Sequence, residues 1–328
     1  MTAENALEVG SIVSGVFLVT DAQLLTDRRG RKYYSLKLNM EGGREVAAKV
    51  WSDNIDEAIE RGQGIESAAR VEQYREEIQL NVQRYSVLLP GSFDPAPYVK
   101  TSDIDVDAAF TTLFGSPDTF SDPLIAELIA AFYGHEGFAL KFKAAPAAGS
   151  RHHNYRGGLI EHTLQVFELA GALAPIYAGK IDRGLLLAGA AVHDVGKVHC
   201  YRLVSGVSEH TEEGMLIDHI FIGASMVSNL WDSQVAPSHP ERDAKSVSRR
   251  KSLLLHMLLS HHGKKEWGAP VLPKTPEAML LHFCDQISAT MQDCLDLLDS
   301  LAEGEEWTQW LTVMDEGRKL FRHRDWSE

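Results

Sequence analysis

From Gly10 to Leu89 apolar and polar positions alternate with a period of two, in short runs rich in Val, Ile and Tyr. The runs are 14–25, 33–40, 44–51, 66–76 and 78–88, a pattern that predicts half-buried strands. Asp27-Arg28-Arg29-Gly30, Glu41-Gly42-Gly43 and Arg61-Gly62-Gln63-Gly64 separate them as turns. Only 53–62, between the third and fourth runs, reads as helix. Three prolines within 90–97 then stop any regular element. Beyond them the period lengthens to that of helices. Residues 121–134 open with Ser121 as a candidate cap and Pro123 in the first turn. The runs 159–173, 183–193, 218–231, 246–263 and 275–300 follow, the last with Thr275 capping and Pro276 at the first helical position. The nearly all-apolar 183–193 is expected at the centre.

Five strands with a short helix after the third is the layout of an OB-fold barrel, which presents loops and the face of its second and third strands to oligonucleotides. The expected architecture is therefore multidomain, a five-stranded barrel followed by an all-helical domain. Its bounds are 1–90 for the barrel, 91–120 for a linker and 121–328 for the helices, with the aromatic tail (Trp307, Trp310, Phe321, Trp326) packing back on the body. Hydrophobic content of 44% and charged content of 24% are ordinary for globular chains, which excludes bulk disorder. No apolar run approaches the roughly 18 residues of a membrane span. The first residues lack a basic region followed by an apolar stretch, so a cytoplasmic protein is expected. The three cysteines, Cys200, Cys284 and Cys294, form no CxxC pair and read as small apolar residues with free thiols. A net charge of −14 argues against coating duplex DNA by broad electrostatics.

The chemistry concentrates in the helical part. His193-Asp194 ends the apolar run and is followed by Val195-Gly196-Lys197. An imidazole and a carboxylate at an apolar helix end are costly without a partner, and a metal removes that cost. Lys197 is placed to meet a phosphate. His261-His262 repeats the arrangement before Gly263; both histidines serve one site only where the helix frays, since neighbours diverge by about 100° on a helix. Asp285 lies beside an apolar stripe, which suggests a buried charged partner, an exposed carboxylate being the other reading. His219 follows Asp218, itself a plain cap candidate. His256 reads as a support behind the ligands. Lone histidines such as His135, His199, His210, His239 and His323 read as ordinary polar residues. His152, His153 and Arg156 lie on the loop before His162 and would touch a neighbouring phosphate or a 3′ end, loop polarity alone being the alternative. On the barrel, Lys32, Tyr33 and Tyr34 suit single-strand binding, although only one of the two tyrosines can point outward. Core packing is favoured for Trp51.

His162, His193-Asp194 and Asp285 match the H…HD…D signature of HD-domain metal-dependent phosphohydrolases. With the barrel ahead of it and with His219 and His261-His262, the chain resembles the YhaM-type 3′→5′ exoribonucleases from about Gly10 to the Asp285 helix. The resemblance implies two divalent ions, one held by His162, His193, Asp194 and Asp285, the other by Asp194, His219, His261 and His262. It favours manganese, with iron, zinc or magnesium as alternatives. It further implies Asp194 and Lys197 as the catalytic pair and single-stranded RNA or DNA as partner, cleaved to nucleoside 5′-monophosphates. A homo-oligomer is compatible with it. On this reading Asp194→Ala abolishes hydrolysis and leaves the fold largely intact. Two other functions compete: an HD phosphohydrolase of nucleotides, which leaves the barrel without a task, and a non-catalytic single-strand-binding factor with a structural metal, which has no need of open coordination.

Overall fold

In a computed structural model the described residues are 7–323 except 75–76, 90, 117–118, 150–151, 205, 300, 302–303, 309 and 314–315. They fall into two compact units, one of Met1–Thr101 with Leu203–Val207, the other of Ser102–Arg202 with Ser208–Glu328.

The first unit is a closed barrel of β1 (Ile12–Thr26), β2 (Lys32–Asn39), β3 (Glu45–Trp51), β4 (Gly64–Tyr74) and β5 (Glu77–Val87), in the order β1-β2-β3-β5-β4. The period-two residues Leu36, Leu38, Val46, Ala48, Val50, Val71, Leu80 and Val82 all point inward and are buried. Neighbours pair antiparallel except β3 with β5, which run parallel with Ala47 opposite Gln79. The helix expected over 53–62 reduces to one 3-10 turn at Ser52–Asn54. The reason is where the backbone groups of this segment find partners: the Glu57 amide donates to the Tyr85 hydroxyl at 3.1 Å and the Ile59 amide to that of Tyr34 at 3.5 Å. Ile59 is thereby pinned into the barrel core. Tyr34 is thus a core residue, which corrects its expected role against nucleic acid. Tyr33 is half-buried on the outer face, its ring 5.0 Å from that of Trp51. Trp51 is on that face too, not in the core, with the Arg31 guanidinium 4.9 Å from its ring. Lys49 reaches over Tyr33 at 5.7 Å and over Tyr74 at 4.8 Å, and Lys32 is exposed at the start of β2.

The second unit is helical. Its helices are α1 (Val106–Phe114), α2 (Pro123–Tyr133), α3 (Glu136–Ala144), α4 (Gly158–Leu173), α5 (Arg183–Val192), the single turn α6 (Lys197–Cys200), α7 (Glu212–Ile217), α8 (His219–Leu230), the short α9 (Ala236–Ser238), α10 (Ala244–Ser260) and α11 (Pro276–Asp299). A hairpin of β6 (Tyr201–Val204) and β7 (Val207–His210) follows α6. The stretch 91–120, expected as a linker, contains α1. Asp105 caps that helix, and its Phe110, Leu113 and Phe114 join the helical core through Phe138 and Phe142. Pro90 lies outside the described residues. Asp122, not Ser121, caps α2, accepting from the Leu124 amide, and Pro123 is at the first helical position as expected. Arg250 of α10 joins the cap carboxylates of two helices, Asp122 at 2.5 Å and Asp182 at 2.6 Å.

As its composition predicted, α5 lies at the centre, Leu185 to Val192 being buried without a break. The tail is a small hairpin, β8 (Leu311–Val313) with β9 (Glu316–Arg318), tied to the end of α11 where Arg322 donates to the Leu298 carbonyl at 3.4 Å. Its aromatics do not bury themselves, since Trp307, Trp310 and Phe321 stay exposed. Trp326 lies outside the described residues. Cys200 and Cys284 are buried free thiols, pushed by that burial up to about 12 and about 11, and Cys294 is half-buried.

Candidate metal centre

Three helix ends and two helix faces converge inside the helical unit. His193 caps α5 and Asp194 follows it. His219 starts α8, and His261-His262 lie in the turn where α10 has already ended. Gly263 in that turn has φ +75 and takes the chain away through a left-handed step, packed so tightly on the His282 ring that a Cβ would come within 2.2 Å of it. His162 projects from α4 and Asp285 from α11, both buried. The turn after Asp194 approaches α8 closely because position 196 has no side chain. A Cβ on Gly196 would lie 2.1 Å from the His219 carbonyl oxygen.

The ligand-type atoms form two groups, His162–His193–Asp285 and His219–His261–His262, each within 4.8 Å internally. Asp194 stands between them. Its Oδ2 lies 3.4 Å from His162 Nε2 and 3.3 Å from His193 Nε2, while its Oδ1 lies 3.4 Å from His219 Nε2 and 3.6 Å from His261 Nε2. One carboxylate therefore presents one oxygen to each group. Asp285 Oδ1 is 3.1 Å from His162 Nε2.

The outer nitrogens decide what the inner ones offer. His193 Nδ1 donates to the Ala190 carbonyl at 2.9 Å, His261 Nδ1 to Leu258 at 2.7 Å and His262 Nδ1 to Trp267 at 2.7 Å. His219 Nδ1 donates to the Asp218 carboxylate, which also accepts from the His219 amide. His162 Nδ1 donates to Ser288 Oγ at 2.9 Å, whose own proton goes to Gln165 Oε1 at 2.8 Å. In the neutral imidazole a proton on Nδ1 leaves Nε2 as a lone pair. Five such lone pairs face two carboxylates, and His162 Nε2 lies only 3.3 Å from His193 Nε2. Asp194 Oδ1, His219 Nε2 and His261 Nε2 are buried without a hydrogen-bond partner, and Asp194 Oδ2 meets the Lys197 ammonium. One ammonium does not balance so many buried acceptors facing one another, and further positive charge between them would. The donor set, imidazole nitrogen and carboxylate oxygen, fits a divalent transition metal.

The titration behaviour agrees. Burial would raise Asp194, yet the Lys197 ammonium with His193 and His162 holds it far below the usual carboxylate range. Burial would raise Asp285 too, and its contacts with His162 bring it far down. Burial depresses His261 and His262, keeping them neutral. Burial also works against a charge on His162, but its hydrogen bonds to Asp194 and Asp285 outweigh that and raise it, a proton there standing where a cation would.

Of the residues expected from sequence, His162, His193, Asp194, His219, His261, His262 and Asp285 come together. Lys197 lies beside them, its ammonium 2.7 Å from Asp194 Oδ2. His152 and His153 lie beside the centre, with ring centroids 5.7 Å and 5.4 Å from that of His162. Arg156 is exposed, its carbonyl accepting from the Ser102 amide. His256 does not support the ligands; its Nε2 accepts from the Lys274 amide at 2.9 Å. Sequence reasoning missed Ser288 and Gln165, each three positions after a ligand on its own helix, a spacing that places them on the same face. It also missed that Asp218, read only as a cap, orients His219. Ser288→Ala removes the acceptor that fixes the His162 tautomer. It is expected to weaken metal affinity about 10–100-fold with little change in fold, which isothermal titration with Mn²⁺ measures directly.

A model of the HD domain matches residues 159–290, a stretch that contains all seven clustered ligand candidates. The 3'-5' exoribonuclease YhaM of Bacillus velezensis is 30% identical over 308 residues, covering 91% of each chain. The protein of the same name from Bacillus subtilis gives the same figures. The chain belongs to the YhaM family. Its Listeria monocytogenes relative of that name is 29% identical over 310 residues, again 91% of both chains. The alignments of this YhaM-family member thus run through the barrel as well as the HD domain, and the HD domain implies dependence on a divalent metal. No helix among the described residues is long and apolar enough to cross a membrane.

Proposed function

We propose that this YhaM-family protein is a cytoplasmic, metal-dependent 3′→5′ exoribonuclease that shortens single-stranded RNA to nucleoside 5′-monophosphates, with single-stranded DNA as a secondary substrate. The observation that carries the reading is Asp194, with one oxygen toward each of two histidine groups. His162, His193, Asp285 and Asp194 Oδ2 would hold one ion; His219, His261, His262 and Asp194 Oδ1 the other, manganese being favoured. When bound, such a pair supplies Lewis acidity at the phosphoryl oxygens and a more acidic attacking water.

The chain's own residues supply the rest. Lys197 neutralises and positions Asp194. Ser288 and Asp218 aim His162 and His219 inward, together with the Ala190, Leu258 and Trp267 carbonyls behind the other three rings. His152 and His153, beside His162, would meet the phosphate next to the scissile one, and exposed Arg156 the 3′ end. Tyr33 and Trp51, interleaved with Arg31 and Lys49, make an aromatic and cationic face on the barrel that suits stacked bases. Lys32 would add a backbone contact. Tyr34 has no part in this, being in the core.

The test uses 5′-labelled single-stranded RNA with Mn²⁺. Shortening in single-nucleotide steps from the 3′ end supports the reading; intact RNA beside hydrolysed nucleotides or cyclic dinucleotides would sink it. Tyr33→Ala and Trp51→Ala are each expected to cost about 1–3 kcal/mol of affinity for long RNA while leaving cleavage of a dinucleotide unchanged.

A further inference from the structure

The longest helix wears its apolar residues on the outside. Between its terminal residues the exposed positions of α11 are Met279, Phe283, Ile287, Met291 and Leu295. All are large and apolar, with exposures from 41% to 53%. A surface helix normally turns charged and polar residues to water, and here those residues are half-buried at the flanks while the crest is greasy. The spacing of four makes the crest a single i±4 ridge. Beside it runs a cleft of about 470 Å³ between α4 and α11, where Leu169 and Ala172 on one side and the flanks of Ile287, Met291 and Leu295 on the other are joined by the polar Gln165, Glu168, Ser288 and Gln292.

A ridge next to a groove on one face is self-complementary under a two-fold rotation. The ridge carries no charge that would select a phosphate backbone or a charged peptide. A chain of net charge −14 repels its copies elsewhere on its surface and can approach one most easily along the uncharged ridge, with Glu168 the one charged residue of the cleft beside it. The area is adequate. Side chains of this size present on the order of 200 Å² each, so five at about half exposure give roughly 500 Å² per copy and about 1,000 Å² per pair. That reaches the lower end of specific interfaces before the groove is counted.

We propose that two copies of this chain associate by packing α11 against α11 about a two-fold axis near Ile287, each ridge entering the other's groove. Interdigitated i±4 ridges cross at about −50°, so Phe283, Ile287 and Met291 form the centre, with Met279 and Leu295 at the margins. Asp285 points to the opposite side of the same helix, while Ser288, which supports His162, lines the cleft itself, so the association would brace the helix right beside the residues that orient the metal centre.

Sedimentation velocity of the full chain at micromolar concentration should show a dimer. Ile287→Glu and Met291→Glu, both at exposed positions, should each weaken association by about 100-fold or more. Phe221→Glu, at an exposed phenylalanine on α8, should not. Retention of the Mn²⁺-induced rise in unfolding temperature in the Glu variants shows that they are folded. A wild-type protein that is monomeric throughout overturns the proposal, whatever else then covers the ridge, and so do dimers that persist in both variants.

Discussion

Replacing Asp194 by alanine should abolish exonuclease activity, by at least about 10³-fold at saturating Mn²⁺, and should also destabilise the fold. The second effect departs from the expectation drawn from sequence and follows from Lys197. That lysine is 7% exposed, and its ammonium rests on Asp194 Oδ2 at 2.7 Å. Burial works against its charge, and the Asp194 carboxylate more than offsets this, raising it above the ordinary lysine value. Removing the carboxylate leaves a buried cation without its counter-charge, a loss of about 3–5 kcal/mol where such pairs have been broken. The double change Asp194→Ala/Lys197→Met removes both charges and should recover most of the stability and none of the activity. Denaturant unfolding in chelator, run on the wild type and both variants, reads this out. If Asp194→Ala unfolds at the wild-type midpoint, the ion pair does not hold the carboxylate in place as described.

Stripping the metal should lower the stability of the protein as well as its turnover. Five imidazole lone pairs and two depressed carboxylates face one another with the Lys197 ammonium alone to offset them. A cation bound to the folded chain alone stabilises it by RT ln(1 + [L]/Kd), about 2.7 kcal/mol at a hundredfold excess over Kd. For a unit of this size that is roughly 5–10 °C in unfolding temperature. Chelated protein titrated with Mn²⁺ should show the rise in a thermal-shift measurement, and His261→Ala should reduce it. Absence of any rise with manganese, iron or zinc at millimolar concentration would mean that the cluster is not a metal centre. This readout needs no substrate, so it separates failure of the metal assignment from failure of the RNA assignment.

Much of the barrel and of the helical unit was legible because each strand or helix buries one face, and period is visible one residue at a time. Where partners came from outside the element, legibility ended. The segment 53–62 has a helical pattern, but its amides are taken by the hydroxyls of Tyr34 and Tyr85, distant in the chain. Trp51 could be read as core or surface until β2 set Tyr33 beside it. The helix α1 was hidden behind prolines and shows its reason only in the phenylalanine cluster that it completes.

The ligand types were determined by the sequence itself, since His193-Asp194 and His261-His262 stand at the ends of apolar runs, where the local carbonyls take the outer imidazole nitrogens and leave the inner ones free. Their division into two groups sharing one carboxylate was decided by the tertiary structure. So were the tautomers, through acceptors as distant as Ser288 is from His162, and so was the pairing of Lys197 with Asp194. These are matters of distance and direction between side chains on different helices, which follow only from how the helices pack.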